Sequence, residues 1–180
     1  IDFKNKNLDL IFENLILSNS SEAIIIREQN SKGILLRGYL EKDFSKLDLI
    51  NNENFIGQKN IIEKNSISIG RELSFNLNLE IGDNITIMSS AGIETIVGNI
   101  PRQTTFTITS IFESGLVDFD NNVIFLNLRT LEEFSNLSSN DRNLEIYLKN
   151  PQDIEKQKKI IQNIFSNDLI YTWADMNKSL

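Results

Sequence analysis

Two alternating runs, Asn84-Ile-Thr-Ile-Met and Thr105-Phe-Thr-Ile-Thr, constrain this chain most, because strict alternation of apolar and polar residues marks a half-buried strand. The stretch at 92–105, caught between them, is longer than a turn requires, since hairpin loops usually take about 2–5 residues. It is not composed like a disordered linker: it carries Ile93, Ile96, Val97 and Ile100, then the rigid Pro101 followed by Arg102. Two foldings are open to it. It protrudes as an apolar, proline-stiffened surface that grips another protein, or it folds back as an extra hairpin on its own sheet.

The chain has 180 residues, enough for one large domain or two small intertwined ones. A formal charge of −7, with no basic stripe, argues against nucleic acid as a partner. No apolar run approaches the roughly 20 residues that cross a bilayer. The opening Ile1-Asp-Phe-Lys-Asn shows no signal peptide and reads as an excised piece of something longer. Cysteine and histidine are both absent, which removes disulfides, thiolate chemistry, His-based nucleophilic triads and His-ligated zinc.

Leu8, Ile11, Phe12, Leu15 and Ile16 recur at helical spacing, so an amphipathic helix is expected over about 7–18. Ala23-Ile-Ile-Ile-Arg and Ile34-Leu-Leu-Arg-Gly flank turn residues and read as a hairpin. Residues 39–65 are polar and connecting, with one short helix near 44–49. A second unit opens with a strand at Ser66-Ile-Ser-Ile-Gly and a short helix ending near Leu79, with apolar positions Leu73, Phe75 and Leu77. Ile81-Gly-Asp turns into the strand from Asn84. After a solvated turn at 118–122 comes the strand Val123-Ile-Phe-Leu. Thr130-Leu-Glu-Glu has the spacing of a capping box opening a helix with Leu131, Phe134 and Leu137 on one side. Leu144-Glu-Ile-Tyr-Leu is a strand. Asn150-Pro starts a helix that runs to about Phe165 and buries Ile154, Ile161, Ile164 and Phe165. A last strand is expected at 169–173, ending in Trp173. The fold class is α+β, with the two ends of the chain interrupted by the unit at 66–112.

Candidate chemistry is sparse. Asp118-x-Asp120-x-Asn122 resembles the opening of a calcium loop, but Val123 stands where glycine is required and Arg129 where the closing glutamate belongs. Glu132-Glu133 and Asp9 with Glu13 fall where polar helix faces are expected, and the serine pairs 20–21 and 89–90 have no histidine base. No metal, cofactor or catalytic residue is expected.

Several motifs do resemble a family. Ser68-Ile-Gly-Arg-Glu-Leu, Ile81-Gly-Asp-Asn-Ile-Thr-Ile, Gly98-Asn-Ile-Pro-Arg-Gln-Thr-Thr-Phe-Thr-Ile-Thr-Ser-Ile-Phe-Glu-Ser-Gly and Asp120 are similar to the periplasmic domain of lipoprotein-releasing permeases, the LolC/LolE/LolF group of MacB-like ABC transporters. Leu35-Leu-Arg-Gly, the Asn150-Pro helix start and Thr172-Trp173 also look like family features. The resemblance implies a periplasmic domain of a bacterial inner-membrane protein, tethered by flanking membrane helices. It implies a Porter-like α/β layer from 1–65 and 113–180, interrupted by a β-rich Sabre-like unit at 66–112. A protruding hairpin, the Hook, would lie at about 92–105 and recruit the carrier chaperone LolA. LolE-type subunits lack the Hook, so the resemblance is to the LolC or LolF type. By position, Ile100, Pro101, Arg102 and Gln103 would lie at the working part of the Hook, with Ile96 and Val97 beside them. Thr104-Thr105 and 92–97 depart from the family pattern. A LolD-like ATPase, a partner permease and lipoprotein cargo are the other implied partners, and ATP hydrolysis would belong to the separate subunit. The alternative is a MacB- or FtsX-like domain that transmits motion to a different periplasmic partner.

Overall fold

The computed structural model describes residues 11–27, 30–59, 64–96, 98–172 and 175. Contacts divide the chain into two compact units, one from 16–145 and one from the chain ends, 1–15 with 146–180.

Strand pairing organises the larger unit. Its strands are β1 (Phe12–Arg27, entering from the smaller unit), β2 (Asn30–Tyr39), β3 (Ile56–Gly57), β4 (Ser66–Gly70), β5 (Asn84–Thr95), β6 (Gly98–Phe112) and β7 (Val123–Asn127). They pair in the order β2-β7-β4-β6-β5-β1, and β1 pairs again with β2, so the six strands form a closed ring. The β1–β2 hairpin is antiparallel in the expected place, with Ala23 opposite Ile34; its turn at 28–29 lies outside the described residues. Parallel pairing of β2 with β7 and of β4 with β6 brings together segments distant in sequence. Closure leaves one set of alternating side chains inside. Ile25, Leu36, Ile67, Ile87, Phe106 and Ile124 are each at most 1% exposed, and burying side chains of this size contributes about 1.5–3 kcal/mol apiece.

Short helices pack against the ring, adding Leu73, Leu131 and Phe134 to its enclosed core. α1 (Glu41–Phe44) and α2 (Asp48–Asn51) replace the single helix expected near 44–49. Phe44 of α1 meets Phe125 edge-on at 5.9 Å. α3 (Arg71–Leu77) follows β4 as expected and is stopped by Asn78 in a left-handed conformation at φ 48°. Leu73 is buried on α3, but Phe75 is 82% exposed. Residues two apart on a helix cannot share a face, so Leu73, Phe75 and Leu77 do not form one apolar side. The expected turn at 118–122 is a short helix, α4 (Val117–Asn122). Gly70 permits the close approach of α4 to β4: a Cβ there would stand 2.0 Å from the Asp120 carbonyl oxygen. α5 (Leu128–Ser135) is capped by Asn127, whose side chain accepts from the Arg129 N–H. Thr130 is therefore a buried residue inside the helix rather than its cap, and the Thr130–Glu133 spacing arises without a capping box.

The smaller unit holds the first residues of β1, the end of β8 (Asn143–Leu148) and α6 (Ile154–Ile164). The expected helix at 7–18 is corrected over the described part, where residues from Phe12 onward form strand. Phe12 and Ile16 are four apart, a spacing that lies on one side of a strand as well as of a helix, and pairing decided between them. Phe12 packs with Ile161, and Leu15, Ile146, Leu148 and Phe165 close around them. Asn150 caps the turn Pro151–Asp153 ahead of α6 by accepting from the Gln152 N–H. Ile164, expected inside, is 38% exposed. No strand forms at 169–172, where Leu169 and Tyr171 are exposed and the apolar run meets no ladder; Trp173 lies outside the described residues.

Candidate partner-binding site

The long loop of the sequence is absent as a loop. β5 and β6 continue through it as one hairpin in two registers. Asn84 to Met88 pair with Thr107 to Gln103, and Gly92 to Thr95 pair with Pro101 to Gly98. Between them, residues 89–91 of β5 stand opposite Arg102 alone. This wide irregularity bends the hairpin where it leaves the ring. Ser89 is buried there, and its Oγ accepts from the Ala91 N–H at 3.1 Å. The β1–β5 ladder ends at Ala23 and Ser89, while β4 meets β6 only from Thr107 onward. Beyond these points the hairpin is a two-stranded ribbon. Gly98, at φ 120°, opens the returning strand at its tip.

Ile96 is fully exposed at the tip and Ile100 is 52% exposed on β6. Pro101 and Gln103 are also exposed, and Gln103 Nε2 lies 3.7 Å from Met88 Sδ on the facing strand. Val97 lies outside the described residues. Arg102 differs from the rest of the set. It is half-buried, and its Nη1 donates to the Glu133 carbonyl in the last turn of α5. The last four carbonyls of a helix lack intrahelical partners and carry the negative end of its dipole, so a guanidinium is well placed there. One bond leaves most of the five guanidinium N–H groups able to act elsewhere.

An open groove of about 510 Å³ runs beside this contact, lined by Arg102, Arg129, Glu132, Glu133, Asn136 and Leu137. Arg142 forks onto Glu132 at 2.6 and 2.8 Å. That hydrogen-bonded pairing holds the Glu132 carboxyl below the usual range despite partial burial, and raises Arg142 in turn. Lys64 pairs with Glu133 at 2.8 Å and lowers its pKa through a hydrogen bond. Asp120, a candidate calcium ligand by spacing, is buried and accepts from the Ser114 N–H and from Ser114 Oγ at 2.6 Å, which fixes the loop after β6.

Sequence reasoning missed the α5 carbonyl that receives Arg102, as well as Arg142 and the bend at 89–91. The run Ser89-Ser-Ala-Gly, where small residues interrupt the alternation, was the available sign of the bend.

No family model matches the chain. It is 23% identical over 164 residues to the lipoprotein-releasing system transmembrane protein LolC of Neisseria meningitidis, covering 89% of this chain and 40% of that protein. It is 24% identical over 115 residues to LolC of Xylella fastidiosa, covering 63% and 28% respectively. The chain thus spans less than half the length of these curated relatives. Its fold matches the periplasmic region of MacB from Actinobacillus actinomycetemcomitans with a TM-score of 0.52 at 12% identity, over 86% of this chain and 68% of that one. Fold and sequence point the same way: the chain has the fold of the MacB periplasmic region, and over most of its length its sequence is similar to that of an ABC-permease protein of the lipoprotein-releasing system. In sequence it is LolC-like.

Proposed function

We propose that the β5–β6 hairpin is a Hook that recruits a LolA-like carrier chaperone, so that a lipoprotein extracted from the inner membrane passes directly to its carrier. The observation that carries this reading is the two-stranded ribbon ending in exposed Ile96 and Ile100 beside the stiff Pro101. An apolar tip on a pre-ordered ribbon loses little conformational entropy on binding. Ile96, Val97, Ile100, Pro101 and Gln103 form the contact in this reading. Arg102 sets the hairpin against α5 and offers its remaining donors to the partner. ATP hydrolysis belongs to a LolD-like subunit that acts with a partner permease on the lipoprotein cargo. The Porter-like part at 1–65 and 113–180 and the Sabre-like part at 66–112 belong to the same proposal. Pairing of β4 with β7 runs the sheet across their boundary.

Binding of the purified chain to a LolA-like carrier tests the reading by calorimetry. Ile96→Asp with Ile100→Asp should weaken affinity by about 30-fold or more, the scale of one hot spot. Equal binding by the double variant and the unmodified chain overturns it. The MacB-like fold favours a second reading, a motion-transmitting domain that engages a different periplasmic protein; recovery of such a protein instead of a carrier from periplasmic extract would select it.

A further inference from the structure

We infer that the outer edge of β5 beyond Ser89 accepts an extended strand from the docked carrier, adding main-chain hydrogen bonds to the apolar contact at the tip. This rests on the carrier-recruiting reading. The register decides which edge is open. Gly92 pairs with Pro101 and Thr95 with Gly98 across a two-residue closure at 96–97. A two-residue closure makes its flanking pair the hydrogen-bonded one, so along the ribbon Thr95/Gly98 and Ile93/Ile100 face inward. Glu94/Asn99 and Gly92/Pro101 then turn their main-chain groups outward. Pro101 fits this assignment independently, because it has no N–H to give to the ladder.

The two edges are therefore unequal. On β6 the outward set lacks the Pro101 donor, and proline on an edge is a recognised block to strand addition. On β5, Gly92 and Glu94 each present both a donor and an acceptor. β1 already occupies this side of β5 from Thr86 to Ser89 and leaves it there. An incoming strand continues the position that β1 vacates, so the docking edge is continuous with a ladder the fold already uses. What such an edge recognises is extended backbone with alternating free N–H and C=O groups, which selects an exposed strand of the carrier over a helix.

Amide hydrogen exchange on the unmodified chain, with and without a purified LolA-like carrier, tests this. Outward amides of Gly92 and Glu94 should exchange rapidly in the free chain and slow by about tenfold or more in the complex. Glu94→Pro should lower carrier affinity by about tenfold with the circular dichroism spectrum and melting temperature unchanged. Should the carrier bind while the Gly92 and Glu94 amides exchange as before, the strand-addition inference falls and the recruiting function stands. Failure of the unmodified chain to bind the carrier overturns both.

Discussion

The Arg102 guanidinium on β6 donates from Nη1 to the main-chain carbonyl of Glu133, in the last turn of α5. A residue expected to reach outward thus serves first as a strut between the hairpin and the ring. One donor is committed locally, and the strut joins β6 to α5 at the residue that stands opposite the irregularity at 89–91.

Replacing Arg102 with Ala should lower stability by about 1–2 kcal/mol, the scale of a charge-assisted hydrogen bond at a helix C-terminus. Urea denaturation measures it. Arg102→Glu should cost more, because a carboxylate would face the negative end of α5. A loss of carrier binding in that variant must therefore be read against its urea midpoint. Unchanged stability in Arg102→Ala would show that the strut carries no load.

The Glu132–Arg142 fork makes stability depend on pH. The folded-state pKa of Glu132 lies below its ordinary value because protonation breaks the fork. On acidification the unfolded chain takes up the proton first. The contribution is complete above the ordinary glutamate value of about 4.3 and disappears as pH falls through the lowered folded value. Glu132→Gln should melt below the unmodified chain at neutral pH, and the difference should shrink below about pH 4. A gap independent of pH would contradict this.

Gly70→Ala should be severe. The new Cβ, fixed in place by its Cα, would fall 2.0 Å from the Asp120 carbonyl oxygen, a main-chain atom that no side-chain rotation can move aside. Overpacking typically costs about 1–3 kcal/mol, and a clash with main chain belongs at or beyond the upper end. The urea midpoint reports it, together with loss of the protection that Asp120 gives the Ser114 amide.

Glu145 gathers the Arg37 guanidinium at 2.6 Å, the buried Tyr39 hydroxyl at 3.1 Å and the Ser18 hydroxyl. Glu145→Ala leaves these donors without that acceptor and should cost about 2–3 kcal/mol, since hydrogen bonds to charged groups are the stronger class. Glu145→Gln keeps an acceptor oxygen and should lose less. Equal losses in the two variants, measured by thermal unfolding, would assign the effect to packing.

Much of the scaffold was legible before the structure. The alternation of Asn84-Ile-Thr-Ile-Met, the closure of Ser66-Ile-Ser-Ile-Gly on a helix and the Asn150-Pro start each reflect local chemistry that a single segment carries by itself. The failures share a cause. Phe12 and Ile16 suit a helix or a strand equally, Thr130 has the spacing of a cap without the position, and Leu169-Ile-Tyr suits a strand that finds no neighbour. In each case the deciding partner lies far away in the chain. The candidate site divides in the same way: Ile96, Ile100 and Pro101 stood out by composition, while the role of Arg102 depended on a helix 31 positions onward.

By itself, the sequence determined that residues 92–105 are apolar, proline-stiffened and flanked by strands, because those properties are local. Only the tertiary structure decided that the flanking strands run through the stretch as one bent ribbon. The end of the β1 ladder at Ser89 and the start of the β4 ladder at Thr107 are pairings between distant segments, and they determine where the ribbon leaves the ring.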